Sequence, residues 1–95
     1  MPFVYMLRCS DGTFYVGHTD NLAARIEAHN AGAGSTYTAA RRPVELVYRE
    51  THMSVESAVA RERQLKRWSA AKKEALVSDD LARLKQLAKR RLNLR

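Results

Sequence analysis

Residues 3–9 read Phe-Val-Tyr-Met-Leu-Arg-Cys, a run in which both alternating sets of side chains start apolar. A strand of that kind must be covered on both faces, so the fold needs a layer on each side of a sheet. Ser10-Asp11-Gly12-Thr13 is a turn signal, with Gly12 free to take positive φ. Phe14-Tyr15-Val16-Gly17 then reads as the returning strand of a hairpin. If Leu7 opposes Tyr15, Tyr5 opposes Gly17, and the two tyrosines project from one face as diagonal neighbours.

Beyond the hairpin the pattern turns helical. Thr19 or Asp20 can cap a helix over 21–30, which Gly32 ends. Residues 31–43 are small, polar and basic, and read as a loop. Pro43 precedes a third strand, Val44 to Arg49, at a position where a strand tolerates proline. Ser54 caps a long helix, Val55 to Trp68, and Ser69 a short one to about Val77. A last helix can begin at Ser78-Asp79-Asp80 and run to about Leu92, with Leu81, Leu84 and Ala88 as its apolar stripe. The expected class is α+β: a three-stranded antiparallel sheet flanked by helices, in the order β-β-α-β-α-α plus a basic C-terminal helix. Residues 1–77 form the expected domain, and 78–95 a basic amphipathic extension of it.

A chain of 95 residues supports one domain with a modest core. No stretch reaches the roughly 20 apolar residues of a membrane span, and the first residues lack the basic region of a signal peptide. With one cysteine, Cys9, no internal disulfide can form, which fits a cytoplasmic location. The net charge of +7 is unevenly spread. Residues 1–60 hold five Lys/Arg against six Asp/Glu, a net of −1; residues 61–95 hold twelve against four, a net of +8. This asymmetry points to a polyanionic partner, with nucleic acid ahead of anionic lipid, although a solvated basic helical face reads the same way.

Three placements carry candidate chemistry. Tyr5 and Tyr15 are either an aromatic core pair or two hydroxyls beside Gly17, whose missing side chain leaves room for a ligand. Leu22, Arg25, Ile26 and His29 share one helical face, which sets a fixed charge among apolar neighbours. Such an arginine snorkels at the stripe's edge or meets an anion, a carboxylate or a phosphate. Glu62 falls in the stripe of Val55, Ala58, Val59, Leu65 and Lys66. A carboxylate there pairs with a cation such as Arg25, or binds a metal whose other ligands are water and phosphate, as suits Mg²⁺. Together these groups match the needs of phosphodiester hydrolysis: a positioned water, a base, a cation and a metal.

The chain resembles the GIY-YIG nuclease family. Phe3-Val4-Tyr5 stands for Gly-Ile-Tyr, and Tyr15-Val16-Gly17 for Tyr-Ile-Gly. The likeness continues through Asn21-Leu22-x-x-Arg25-Ile26-x-x-His29-Asn30 and Arg41-Arg42-Pro43-Val44-Glu45-Leu46-Val47-Tyr48, and ends with Glu62-x-x-Leu65-Lys66. It covers roughly residues 2–77 and is strongest to the small stand-alone bacterial single-domain members. Phe3 replaces the first glycine, and Ala70-Ala71-Lys72-Lys73-Glu74 holds no counterpart of an asparagine that larger members carry.

The resemblance implies a DNA endonuclease with one divalent ion, Mg²⁺ or Mn²⁺. Glu62 would be the metal ligand and Arg25 the cation that stabilises phosphate. Tyr5 would be the base or water-orienting group, with Tyr15 beside it. His18 and His29 would join in proton transfer. Gly17, Arg41, Arg42, Lys66 and Lys72 are candidate nucleic-acid contacts. Branched or single-stranded DNA, and RNA too, remain open as substrates. A binding module of the same fold with little turnover is the competing expectation. Trp68 reads as a helix-packing anchor ahead of a base-stacking platform, and the basic tail from Arg83 to Arg95 as an extended DNA-binding surface.

Overall fold

The hairpin forms in the register the pattern requires, with Leu7 opposite Tyr15 and Tyr5 opposite Gly17. Its strands are β1 (Phe3–Arg8) and β2 (Phe14–Thr19), joined through Gly12 at φ +85°. These features belong to a computed structural model that describes residues 1–79. The helix expected from Ser78 onward falls almost wholly on residues 80–95, with the basic tail, outside the described residues.

Strand β3 (Glu45–Thr51) pairs antiparallel with β1, giving the order β2-β1-β3 with β1 in the centre. Alternation along β1 divides the core in two. Val4 and Met6 join Val16, Ala58 and Leu65 on one face, covered by α3 (Val55–Lys66) and α4 (Ala70–Val77). Tyr5 and Leu7 join Cys9, Leu22 and Val44 on the other, covered by α1 (Leu22–Asn30) and α2 (Thr36–Ala39). Full burial of a side chain such as Leu65 or Met6 contributes on the order of 1.5–3 kcal/mol. Trp68 packs against the first cluster, as an anchor does.

Four local expectations change, the simplest being that β3 runs Glu45–Thr51 rather than Val44 to Arg49. Asn21, rather than Thr19 or Asp20, caps α1: its side chain accepts from the Ala24 amide at 3.1 Å. Thr19 instead bonds to the Asn21 backbone and prepares the turn. The segment read as a loop contains the short helix α2, capped by Ser35. The sixth element ends at Lys66 rather than Trp68. Ser54 and Ser69 cap α3 and α4 as expected. Among the described residues, no helix is long and apolar enough to cross a membrane.

Candidate active site

The face covered by α1 and α2 carries a chain of neutral hydrogen bonds. Tyr5, at the centre of β1, is fully buried, and its hydroxyl meets His29 Nε2 at 2.8 Å. His29 projects inward from the last turn of α1, and its Nδ1 lies 2.7 Å from Thr38 Oγ1. Thr38 lies 2.9 Å from Ser35 Oγ. Tyr15 sits edge-on to His29, with centroids 5.0 Å apart, and stacks on Tyr37. Burial pushes the Tyr5 hydroxyl up to about 12; Tyr15 and Glu62 add to the rise and Arg25 opposes it. Burial and the charge of Arg25 hold His29 below its ordinary value.

Those two shifts fix the charge states. Near neutral pH Tyr5 keeps its proton and His29 is uncharged, so the phenol and Nε2 share a neutral hydrogen bond. Nδ1 meets the Thr38 hydroxyl, which in turn meets that of Ser35. Thr38 is thus the second partner of the His29 ring. Sequence reasoning missed it, because it lies in the segment read as a loop. The available signal was Ser35 three residues ahead of Thr38, the spacing of a helix cap.

Glycines make this packing possible. A Cβ at Gly17 would sit 2.5 Å from the Tyr5 hydroxyl oxygen, and one at Gly34 would run into the His29 ring. The space beside Gly17, expected to admit a ligand, is therefore filled by Tyr5 itself.

The opposite face carries charge. His18 shares a face of β2 with Val16 and points to the α3 side, where its Nδ1 lies 2.5 Å from Glu62 Oε1. Lys66, one turn along α3, reaches Glu62 Oε2 at 2.6 Å. Burial alone would raise the Glu62 carboxyl, but hydrogen bonds and charge from Lys66 and His18 outweigh it and hold the group below the usual carboxylate range. The Glu62 side chain is 16% exposed and His18 38%. Its partners are these two residues rather than Arg25.

Arg25 is exposed, unlike the buried Leu22 and His29 of its stripe. It lies at the stripe's solvent edge and shares a cleft of about 330 Å³ with Pro2, His18, Thr19, Asp20, Asn21 and Val55. This cleft wraps the end of edge strand β2. It brings Arg25 from one face of the sheet together with His18 from the other, and Glu62 stands one hydrogen bond behind its wall.

The remaining candidates lie apart from the cleft. Arg41 bonds Asp11 at 3.0 Å and lies 3.8 Å over the Tyr37 ring. Arg42 donates to the Ala39 carbonyl. Lys72 sits 4.3 Å over the Trp68 ring, at the far end of α3. No group of three or more His, Cys, Asp or Glu that could hold a metal occurs among the described residues. Glu62 offers an ionised, partly sheltered carboxylate beside the cleft. With one contact on each oxygen it keeps lone pairs to spare, which fits a hard cation bound mainly by water and phosphate.

The fold and this constellation define a nuclease-type domain. The chain matches the GIY-YIG catalytic domain over residues 1–75 and belongs to that family. A UPF0213 protein of Natronomonas pharaonis is 47% identical over 78 residues, covering 82% of this chain and 92% of that one. A UPF0213 protein of Staphylococcus aureus is 43% identical over 77 residues, covering 81% and 94%. The solution NMR structure of a UPF0213 protein from Bacillus halodurans is similar at a TM-score of 0.53 and 42% identity, over 82% of this chain and 84% of that one.

Proposed function

We propose that this protein is a metal-dependent endonuclease that hydrolyses phosphodiester bonds in DNA, with structure-selective or weak selectivity, in repair or recombination. The observation that carries this reading is Glu62: an ionised carboxylate held by His18 and Lys66 behind a cleft that Arg25 shares, in a chain of the GIY-YIG family.

In this reading Arg25 binds the non-bridging oxygens of the scissile phosphate with its planar fork of donors. A water oxygen forms the new bond to phosphorus as the bond to the leaving oxygen breaks. Glu62 would hold the divalent ion, Mg²⁺ or Mn²⁺, which when bound offsets the charge that builds on the phosphate. His18 is the favoured acceptor for the water's proton. Its Nδ1 is engaged by Glu62, its ring lines the cleft, and Nε2 is the remaining ring nitrogen. Tyr5 is fully buried and holds its proton up to about pH 12, so it supports the site through His29 and Arg25 rather than taking a proton from water. Tyr15 packs between Tyr5 and Tyr37 and keeps that support in place.

One observation favours the second reading, a nucleic-acid-binding module with little turnover: both Glu62 oxygens already have cationic or imidazole partners. A panel of junction, flap, nicked and single-stranded DNA, with an RNA strand beside them, incubated with Mg²⁺ or Mn²⁺, separates the two. The nuclease reading expects metal-dependent cutting that Glu62→Ala and Arg25→Ala abolish. Salt-sensitive binding with no cutting of any member would establish the module instead.

A further inference from the structure

A second concavity lies away from the cleft. It holds about 480 Å³ and is lined by Ala60, Arg63, Gln64, Arg67, Trp68 and Lys72, where α3 ends and α4 begins. Three of the six are cations and none is a carboxylate. Arg63 and Arg67 stand one turn apart on α3, both exposed, and neither has an ion-pair partner among the described residues. Trp68 is half-buried against the Val4–Met6 cluster and gives the groove a fixed floor. Lys72 lies 4.3 Å over the indole, which sets a cation against the floor.

The groove is tied to the cleft through α3. Arg63 follows Glu62, and Arg67 follows Lys66. Residues adjacent in a helix are rotated by about 100°, so the two arginines form a stripe next to the Glu62–Lys66 stripe and parallel to it. The contrast in lining is informative. The cleft includes an acid, Asp20, whereas no acid is among the described residues that line the groove. Arg63 and Arg67, like charges one turn apart with no ion-pair partner among the described residues, cost free energy unless a polyanion meets them, and arginine in pairs suits successive phosphates.

We infer that the Arg63–Arg67–Lys72 groove with its Trp68 floor binds the phosphodiester backbone of the nucleic-acid substrate on one side of the scissile phosphate. This rests on the proposed nuclease reading for its ligand class. The contacts are to phosphates, so they position the strand and carry no sequence information.

Trp68 is the single tryptophan of the chain, so intrinsic fluorescence reports on this groove alone. A fluorescein-labelled DNA duplex, titrated into the full chain without divalent metal, gives anisotropy and Trp68 emission from one sample. The expected result is a change in Trp68 emission that saturates together with anisotropy. Arg63→Ser and Arg67→Ser should each weaken binding several-fold and make the log–log salt dependence shallower by roughly 1. Arg49→Ser on exposed β3 removes the same charge elsewhere and should change the slope far less. Binding that leaves Trp68 emission unchanged overturns the inference. So does an equal loss in all three variants, which would mean that net charge alone matters. Because no metal is present, the result is independent of cleavage. A responding groove in a chain that cuts nothing would retire the nuclease reading alone, and a silent groove in an active nuclease would retire this inference alone.

Discussion

Two histidines sit on opposite faces of one thin sheet and live in different chemistry. His29 is buried with Tyr5 and Thr38, carries no charge near neutral pH, and has both ring nitrogens engaged in a neutral relay. His18 lies two strand positions beyond Val16, binds a carboxylate, and opens onto solvent at the cleft. The difference teaches how a small sheet divides labour. Strand alternation sends Tyr5, Tyr15 and Gly17 to one side and Val16 and His18 to the other. In the proposed reading the buried relay fixes positions, and His18, Glu62 and Arg25 at the cleft meet phosphate. They couple through space at the end of β2, where Arg25 and Glu62 both act on the Tyr5 hydroxyl in opposite directions.

The sharpest way to break the neutral side is to fill its glycine pockets. Gly34→Ala would drive a Cβ into the His29 ring, and Gly17→Ala one into the Tyr5 ring. Each is expected to destabilise by about 1–3 kcal/mol in urea unfolding, the range for overpacking a core. Gly12→Ala has open space but positive φ, and should cost about 1 kcal/mol. If Gly17→Ala costs less than Gly12→Ala, the Tyr5 packing described above is wrong.

His29→Leu comes next. It keeps the bulk but leaves the Tyr5 and Thr38 hydroxyls without their shared partner, a loss of about 2 kcal/mol. The same residue predicts a pH dependence. His29 titrates lower in the folded chain than its ordinary value of 6.5. Its neutral form is the folded one, so its contribution is full above about pH 6.5 and is lost as pH falls below that. Glu62, held below its ordinary 4.5, contributes above about 4.5 and is lost at more acid pH. Wild-type chain should therefore weaken in two stages on acidification, and His29→Leu should remove the upper one. A wild-type curve that is flat between pH 7 and about 5 would contradict the neutral burial of His29.

The smallest effect separates position from bulk at Thr38. Thr38→Val removes the hydroxyl that meets His29 Nδ1 and should cost about 1 kcal/mol, with a change in the His29 titration followed by NMR. Thr38→Ser keeps the hydroxyl and should restore that titration. A Thr38→Val chain whose His29 titrates as in wild type would remove Thr38 from the relay.

Much of this architecture was readable from residues alone, and the parts that were not share one cause. The hairpin register follows from alternation and a glycine turn, both local. The Ser54 and Ser69 caps are local too. Helix α2 spans only four residues, two of them β-branched threonines, so its propensity is weak and Ser35 with the His29 contact sustains it. Arg25 shared the apolar spacing of α1, but a helical stripe has an edge, and which side of it faces solvent depends on how α1 lies on the sheet. The pairing of Glu62 with His18 and Lys66 instead of Arg25 depends on which face α3 covers, and no periodicity within α3 carries that information. The candidate residues could be listed from the sequence; their division between two faces could not.

The central claim is that Glu62 and His18 with Arg25 at the cleft perform the chemistry, while the buried relay of Tyr5 and His29 supports it. Single-turnover DNA cleavage by Glu62→Gln and Tyr5→Phe, measured side by side with Mg²⁺ at one pH, tests it most directly. The account predicts that Glu62→Gln loses activity by on the order of a thousandfold, equivalent to about 4 kcal/mol in the barrier, and that Tyr5→Phe stays within about tenfold of wild type. Substantial cutting by Glu62→Gln, or a Tyr5→Phe chain as inactive as Glu62→Gln while still folded, would contradict it.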